Sequence, residues 1–227
     1  MDKAEGEEVM PHPTGGYKNS KGERIPGVTT IIGRFKESGG LIRWAYNRGK
    51  DGLELYESRD KAAELGTIVH SMVEAYINCE LWGDLTKELS PEDYESVISA
   101  FTAFQEWFES NKFKVIEQEV QLISELYQYG GTPDAIAEDS KGRIVLLDWK
   151  TSDGVYADYL YQLGAYQVLW NENNADRPLS GGSHLCRFAK EHGDFAHHYY
   201  PDLKDAVKGF LLMRDLYDID KSLKKRC

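Results

Sequence analysis

Gly130-Gly131-Thr132-Pro133-Asp134-Ala135-Ile136-Ala137, then Glu138-Asp139-Ser140-Lys141-Gly142, then Arg143-Ile144-Val145-Leu146-Leu147-Asp148-Trp149-Lys150, is the stretch that decides the fold. Two runs that favour strands flank a polar turn, which predicts a β-hairpin. The second run is apolar enough for a central strand, and it ends in an acid and a lysine. Side chains alternate along a strand, so Asp148 and Lys150 share a face. An antiparallel partner sets Asp134 beside Asp148. Paired carboxylates repel unless a proton or cation lies between them. A divalent metal resolves that repulsion, and Lys150 is placed to orient a water or to stabilise charge. Pro133 cannot donate to a ladder and so marks a bulge or an edge, a common device for re-aiming a side chain beside an active site. Taken alone, Asp-x-Lys is more often a salt bridge at a strand end, and Asp134 a turn residue. The decision therefore rests on what lies upstream and downstream.

The chain of 227 residues has room for one sizeable α/β domain. Its 41% hydrophobic and 12% aromatic content supports a packed core. No apolar run approaches the roughly 18 residues of a membrane helix. The start, Met1-Asp2-Lys3-Ala4-Glu5-Gly6-Glu7-Glu8, is acidic and has no apolar core of a signal peptide, so a cytoplasmic protein is expected. Cys79, Cys186 and Cys227 show no metal-binding spacing and are read as free thiols. The net charge of −11 argues against broad, non-specific nucleic-acid binding. Residues 1–50 nevertheless carry nine Lys/Arg against six Asp/Glu. Arg24, Arg34, Lys36, Arg43, Arg48 and Lys50, and the tail Lys221 to Arg226, are compatible with either a phosphate-facing surface or a solvated one.

Outward from the hairpin, residues 1–24 read as an extended lead-in broken by Pro11, Pro13, Gly15 and Gly16. Gly27 to Gly33 is either a short strand or a helix start capped by Thr29. Leu41 to Gly49 is helical, closed by Gly49. Arg59 to Cys79 is a long helix with Ala62, Leu65, Val69, Val73 and Ile77 inside. Its adjacent stripe carries Gly66, His70 and Glu74, and the glycine lets another element approach closely. Ser90-Pro91-Glu92-Asp93 starts a helix that runs to about Asn111. Lys114 to Ile123 is a strand with Val115, Glu117, Glu119 and Gln121 on one face, which meets either solvent or the floor of a site. Asp158 opens a helix through Trp170 that sets Gln162 and Tyr166 on one face. Ser183 to Phe188 and Phe195 to Tyr200 pair as strands, and Pro201 to Asp220 is a final amphipathic helix. The result is an α/β fold: a mixed central sheet flanked by helices.

Four pieces now stand in order: Gly66-Thr67-Ile68-Val69-His70-Ser71-Met72-Val73-Glu74, Gly131-Thr132-Pro133-Asp134, Asp148-Trp149-Lys150 and Gln162-Leu163-Gly164-Ala165-Tyr166. Together they resemble the PD-(D/E)XK nuclease superfamily in its RecB-like branch, of the phage exonuclease and mitochondrial genome maintenance exonuclease type. The likeness covers residues 66–166 firmly and 25–50 loosely. It implies a restriction-endonuclease-like core, with residues 25–227 as one nuclease domain. Residues 25–112 would form its helical part and 113–227 its αβ core.

The resemblance also implies roles. His70, Asp134 and Asp148, with the carbonyl of Trp149, would hold Mg²⁺ or Mn²⁺. Lys150 would position the attacking water. Glu74 would orient His70 or help a second metal, and Gln162 and Tyr166 would bracket the site and touch the substrate. The implied reaction is hydrolysis of DNA phosphodiesters to 5′-phosphates, by an exonuclease on linear DNA. The setting would be phage-type recombination or DNA processing in a bacterial or phage-infected cell, with a possible recombination partner protein and no membrane. The iron–sulfur ligation of some RecB-like nucleases is absent, so no cluster is expected. An endonuclease or flap nuclease on the same core, or a non-catalytic DNA-binding module, are the competing expectations.

Overall fold

A computed structural model describes residues 16–36, 39–50, 55–152, 154–188 and 195–226. The hairpin forms as expected. Strand β6 (Ala135–Glu138) pairs antiparallel with β7 (Ile144–Thr151), Ala135 opposite Leu147 and Glu138 opposite Ile144. The turn between them is tied by Asp139, whose carboxylate accepts from the amides of Lys141 and Arg143 and from the Arg143 guanidinium. Gly142 takes φ +75°, a conformation that costs glycine little.

Around this hairpin a five-stranded sheet assembles in the order β3 (Lys114–Gln118), β6, β7, β8 (Ser183–Phe188), β9 (Phe195–Tyr200). Only the β7–β8 pair is parallel. A parallel pair needs a crossover, and α5 (Ala157–Asn173) supplies it. Because β7 lies centrally, its residues from Ile144 to Trp149 are all buried.

Alternation along the hairpin divides the core. Ile136, Ile144 and Leu146 pack with Leu163 and Leu169 of α5 and Phe210 of α6 (Lys204–Lys224). Ala135, Ala137, Val145, Leu147 and Trp149 face the other way, against Val69, Met72 and Val73 of α3 (Leu55–Ile77) and Phe101 and Phe104 of α4 (Pro91–Asn111). Helix α4 begins where expected: Ser90 accepts from the Asp93 amide and Pro91 follows it. Helix α2 (Gly39–Lys50) continues through Gly49 rather than closing at it.

Three local expectations are corrected. Gly27 to Gly33 forms a helix, α1 (Val28–Phe35), whose N-cap is Gly27 and not Thr29. The part of the lead-in within the described residues is a small hairpin, β1 (Tyr17–Lys18) with β2 (Arg24–Ile25), whose Tyr17 hydroxyl hydrogen-bonds Thr132 Oγ at 2.9 Å. The strand expected over Lys114 to Ile123 divides. β3 shifts register between Val115 and Glu117, Glu119 turns at φ +45°, and β4 (Leu122–Ser124) joins β5 (Tyr129–Gly131) in a separate two-stranded sheet. One chain cannot serve both sheets without that bend. Pro133, with no N–H to donate, lies at the matching crossing between β5 and β6.

Cys79 and Cys186 are free, and Cys227 lies outside the described residues. Among the described residues no helix is long and apolar enough to cross a membrane.

Candidate active site

The site lies where β7 leaves the core. With Ala135 opposite Leu147, Asp134 falls beside Asp148, and its Oδ2 accepts from the Trp149 amide at 2.6 Å. Asp148 is fully buried, and Lys150 Nζ lies 2.5 Å from its Oδ2. The same ammonium donates to the Trp149 carbonyl at 3.2 Å. Burial opposes the Asp148 charge and Lys150 favours it; with Asp134 close by, the carboxyl is pushed up to about 6. Burial works against the Lys150 charge too, but the carboxylates of Asp148 and Asp134 outweigh it and the ammonium stays protonated.

Helix α3 reaches this strand end through Gly66. A Cβ at Gly66 would lie 2.8 Å from the Thr151 side chain, so the close approach requires glycine. One turn on, His70 comes under the influence of Lys150 and Asp148. Burial, reinforced by the Lys150 charge, lowers its pKa to about 4, which leaves a neutral imidazole fit to ligate a metal. Glu74 lies a further turn along, near Glu119.

From the other side, α5 brings Gln162 and Tyr166, whose Nε2 and hydroxyl lie 2.8 Å apart. Burial raises the Tyr166 hydroxyl well above its ordinary value, and Asp148 and Asp134 add to the effect. Gly131 lets the Tyr166 ring approach β5: a Cβ there would be 2.7 Å from the ring.

The fold thus gathers His70, Glu74, Asp134, Asp148, Lys150, Gln162 and Tyr166 around one strand end. Glu119, read from the sequence only as one of several residues on a charged strand face, is the one that turns inward. Its amide donates to the Asp134 carbonyl at 3.1 Å. Burial together with Glu74 and Asp134 pushes its carboxyl up to about 7.

Among the described residues, no three His, Cys, Asp or Glu side chains are set around one cation position. The chemistry of the donors fits a cation nonetheless. Asp148 Oδ1 has no hydrogen-bond partner although the side chain is completely enclosed, and Oδ2 meets the Lys150 ammonium. With Asp134 beside this pair, one lysine faces two carboxylates, a charge balance that a cation would complete.

The basic residues divide. Arg34 pairs with Asp220, and Lys36 with Asp158 at 2.9 Å. Arg24 contributes to a cavity of about 400 Å³ between the β1–β2 hairpin and the start of α1.

The family model of the PD-(D/E)XK nuclease superfamily matches residues 42–208. No curated protein matches the chain. Among solved structures, a candidate exonuclease from Eubacterium rectale is 15% identical with a TM-score of 0.44, over 67% of this chain and 64% of its own. The chain therefore spans less than two thirds of that protein's length. An alkaline exonuclease from Laribacter hongkongensis is 13% identical with a TM-score of 0.34, over 68% of this chain and 86% of its own.

Proposed function

The chain belongs to the PD-(D/E)XK nuclease superfamily, and from that premise we propose that it is a divalent-metal-dependent deoxyribonuclease of the RecB-like branch. It acts as an exonuclease on linear DNA and leaves 5′-phosphates. The observation that carries this reading is the enclosed Asp148 carboxylate, paired through one oxygen with the protonated Lys150 and set beside the anchored Asp134, its other oxygen unsatisfied.

His70, Asp134 and Asp148, with the Trp149 carbonyl, would hold the cation. Oxygen donors suit Mg²⁺ and the imidazole shifts the preference toward Mn²⁺. When bound, the cation supplies positive charge for the phosphate oxygens and acidifies a coordinated water. Lys150 would orient the attacking water and offset negative charge at phosphorus in the transition state. The Trp149 amide fixes one Asp134 oxygen. Glu74 orients His70, and Gln162 and Tyr166 contact the substrate backbone. Residues 25–227 act as one nuclease domain, in phage-type recombination or DNA processing with a recombination partner.

The test is digestion of end-labelled linear DNA and covalently closed DNA with Mg²⁺, Mn²⁺ or EDTA, beside Lys150→Ala. Metal-dependent loss of linear DNA alone, abolished in the variant, is the expected result. Cutting of the closed circle makes the protein an endonuclease, and intact DNA under every condition removes the reading.

A further inference from the structure

One wall of the site is aromatic, and nothing in the roles above uses it. β7 ends at Thr151 and α5 begins at Ala157, so the short loop between them delivers Tyr156 to the rim. Tyr156 caps α5 in an extended conformation, makes no side-chain cap bond, and is 52% exposed. Its ring meets Tyr159 edge to face, with centroids 5.5 Å apart at 80°. The Tyr159 ring in turn lies 5.7 Å from Lys150 Nζ. A continuous path of two rings therefore leads from solvent to the buried lysine. Lys36, half-exposed and paired with Asp158 at 2.9 Å, lies within electrostatic reach of both hydroxyls.

Tyr156 stays about half exposed beside Tyr159, which leaves ring surface open to solvent. Every nucleobase has a π-face that stacks on such a ring, while its phosphates favour neighbouring ammonium groups. A duplex hides its base faces inside the stack, so a ring at this position recognises an unpaired base. We propose that Tyr156, backed by Tyr159, is a base-stacking platform beside Lys150, and that the strand entering the site is unpaired next to the phosphodiester to be cut. The proposal rests on the nuclease reading above and narrows its substrate to a single strand or a frayed end.

Fluorescence anisotropy tests it, with Ca²⁺ in place of Mg²⁺ and three labelled probes: a short single strand, a blunt duplex, and a strand of abasic sugar-phosphate units. Wild-type protein is expected to prefer the ordinary strand to the abasic one by about tenfold. Tyr156→Ala, with an unchanged melting temperature, should remove that preference, and Tyr156→Phe should retain it. Because stacking does not depend on counterion release, the preference should persist as salt is raised. A preference that survives in Tyr156→Ala, or an equal loss on duplex and abasic strand, overturns the platform while leaving a DNA-binding protein. Wild-type protein that binds none of the three removes the nuclease reading itself.

Discussion

The carboxylate of Asp134 is held by the amide of Trp149, 2.6 Å away, so the acid on one strand is positioned by the backbone of the next. The residue donating that amide lies between Asp148 and Lys150, so one hydrogen bond sets the spacing of all three charged groups. Asp134→Asn keeps an oxygen acceptor for the amide and should fold normally, with hydrolysis reduced at least about 10²-fold. Asp134→Ala leaves a buried N–H unsatisfied and should cost about 1–3 kcal/mol in addition. Thermal denaturation of both variants separates the roles; equal stability would mean that the hydrogen bond positions nothing.

Lys150 and Asp148 form a buried ion pair, and breaking one side should cost more than removing both. Lys150→Met strands an enclosed carboxylate and should destabilise the protein by about 3–5 kcal/mol. Combining it with Asp148→Asn should recover most of that loss, with no recovery of hydrolysis. Urea denaturation of the two single variants and the double measures the coupling. Additive losses would contradict the pairing seen at 2.5 Å.

Gly66 places His70 and Glu74 by letting α3 touch the end of β7. Gly66→Ala puts a methyl group 2.8 Å from Thr151, so the helix must shift. A cost of about 1–3 kcal/mol is expected, together with weaker divalent-cation binding by calorimetry. Normal cation binding in this variant would show that the approach of α3 is not what positions the histidine.

Much of this arrangement is legible in the sequence because its signals are local. Ser90-Pro91 announces α4, the alternation in Ile144 to Trp149 divides two cores, and His70 and Glu74 share a helical face by spacing alone. Glu119 is different. The pattern from Lys114 to Ile123 alternates well enough for one strand, and the polar run Glu117-Gln118-Glu119 does not by itself mark the residue at which the chain leaves one sheet for another. The left-handed turn at Glu119 is stabilised by a bond to Asp134, a contact across the fold. The parallel placement of β8 beside β7 is likewise set by long-range pairing. Tyr156 and Tyr159 escape notice because a base platform has no required spacing.

His184 and His197 stack across β8 and β9 at 13°, with Nδ1 and Nε2 2.9 Å apart, among Trp107, Phe113 and Tyr199. Burial, with His197 beside it, lowers His184 to about 4; Asp139 opposes this weakly and Arg143 adds to it. Burial, with His198 nearby, lowers His197 too. The folded pair refuses protons that the unfolded chain accepts below about 6.5. Stability contributed by the neutral pair is therefore complete above that pH and is lost as pH falls toward 4. The loss should reach on the order of 2 kcal/mol, discounted for partial exposure. Replacing both by His184→Phe and His197→Phe should flatten the melting temperature between pH 6.5 and about 4.5. An unchanged slope would assign acid sensitivity elsewhere.

Glu119 carries the opposite sign. Burial and the carboxylates of Glu74 and Asp134 raise its folded pKa to about 7, above that of the unfolded chain. Between those two values the folded protein retains a proton that the unfolded chain has released, so the group favours folding at low pH. That contribution is lost as pH rises through about 7, where three carboxylates repel at one strand end. Glu119→Gln removes the charge and keeps the shape. In EDTA, calorimetry should find the variant more stable than wild type at pH 8, with the difference shrinking toward pH 5 as wild-type Glu119 becomes protonated. A gain of equal size at both pH values would point to better packing of the amide. No gain at pH 8 would mean that Glu119 does not feel Glu74 and Asp134, and that the acidic cluster ends at Asp134.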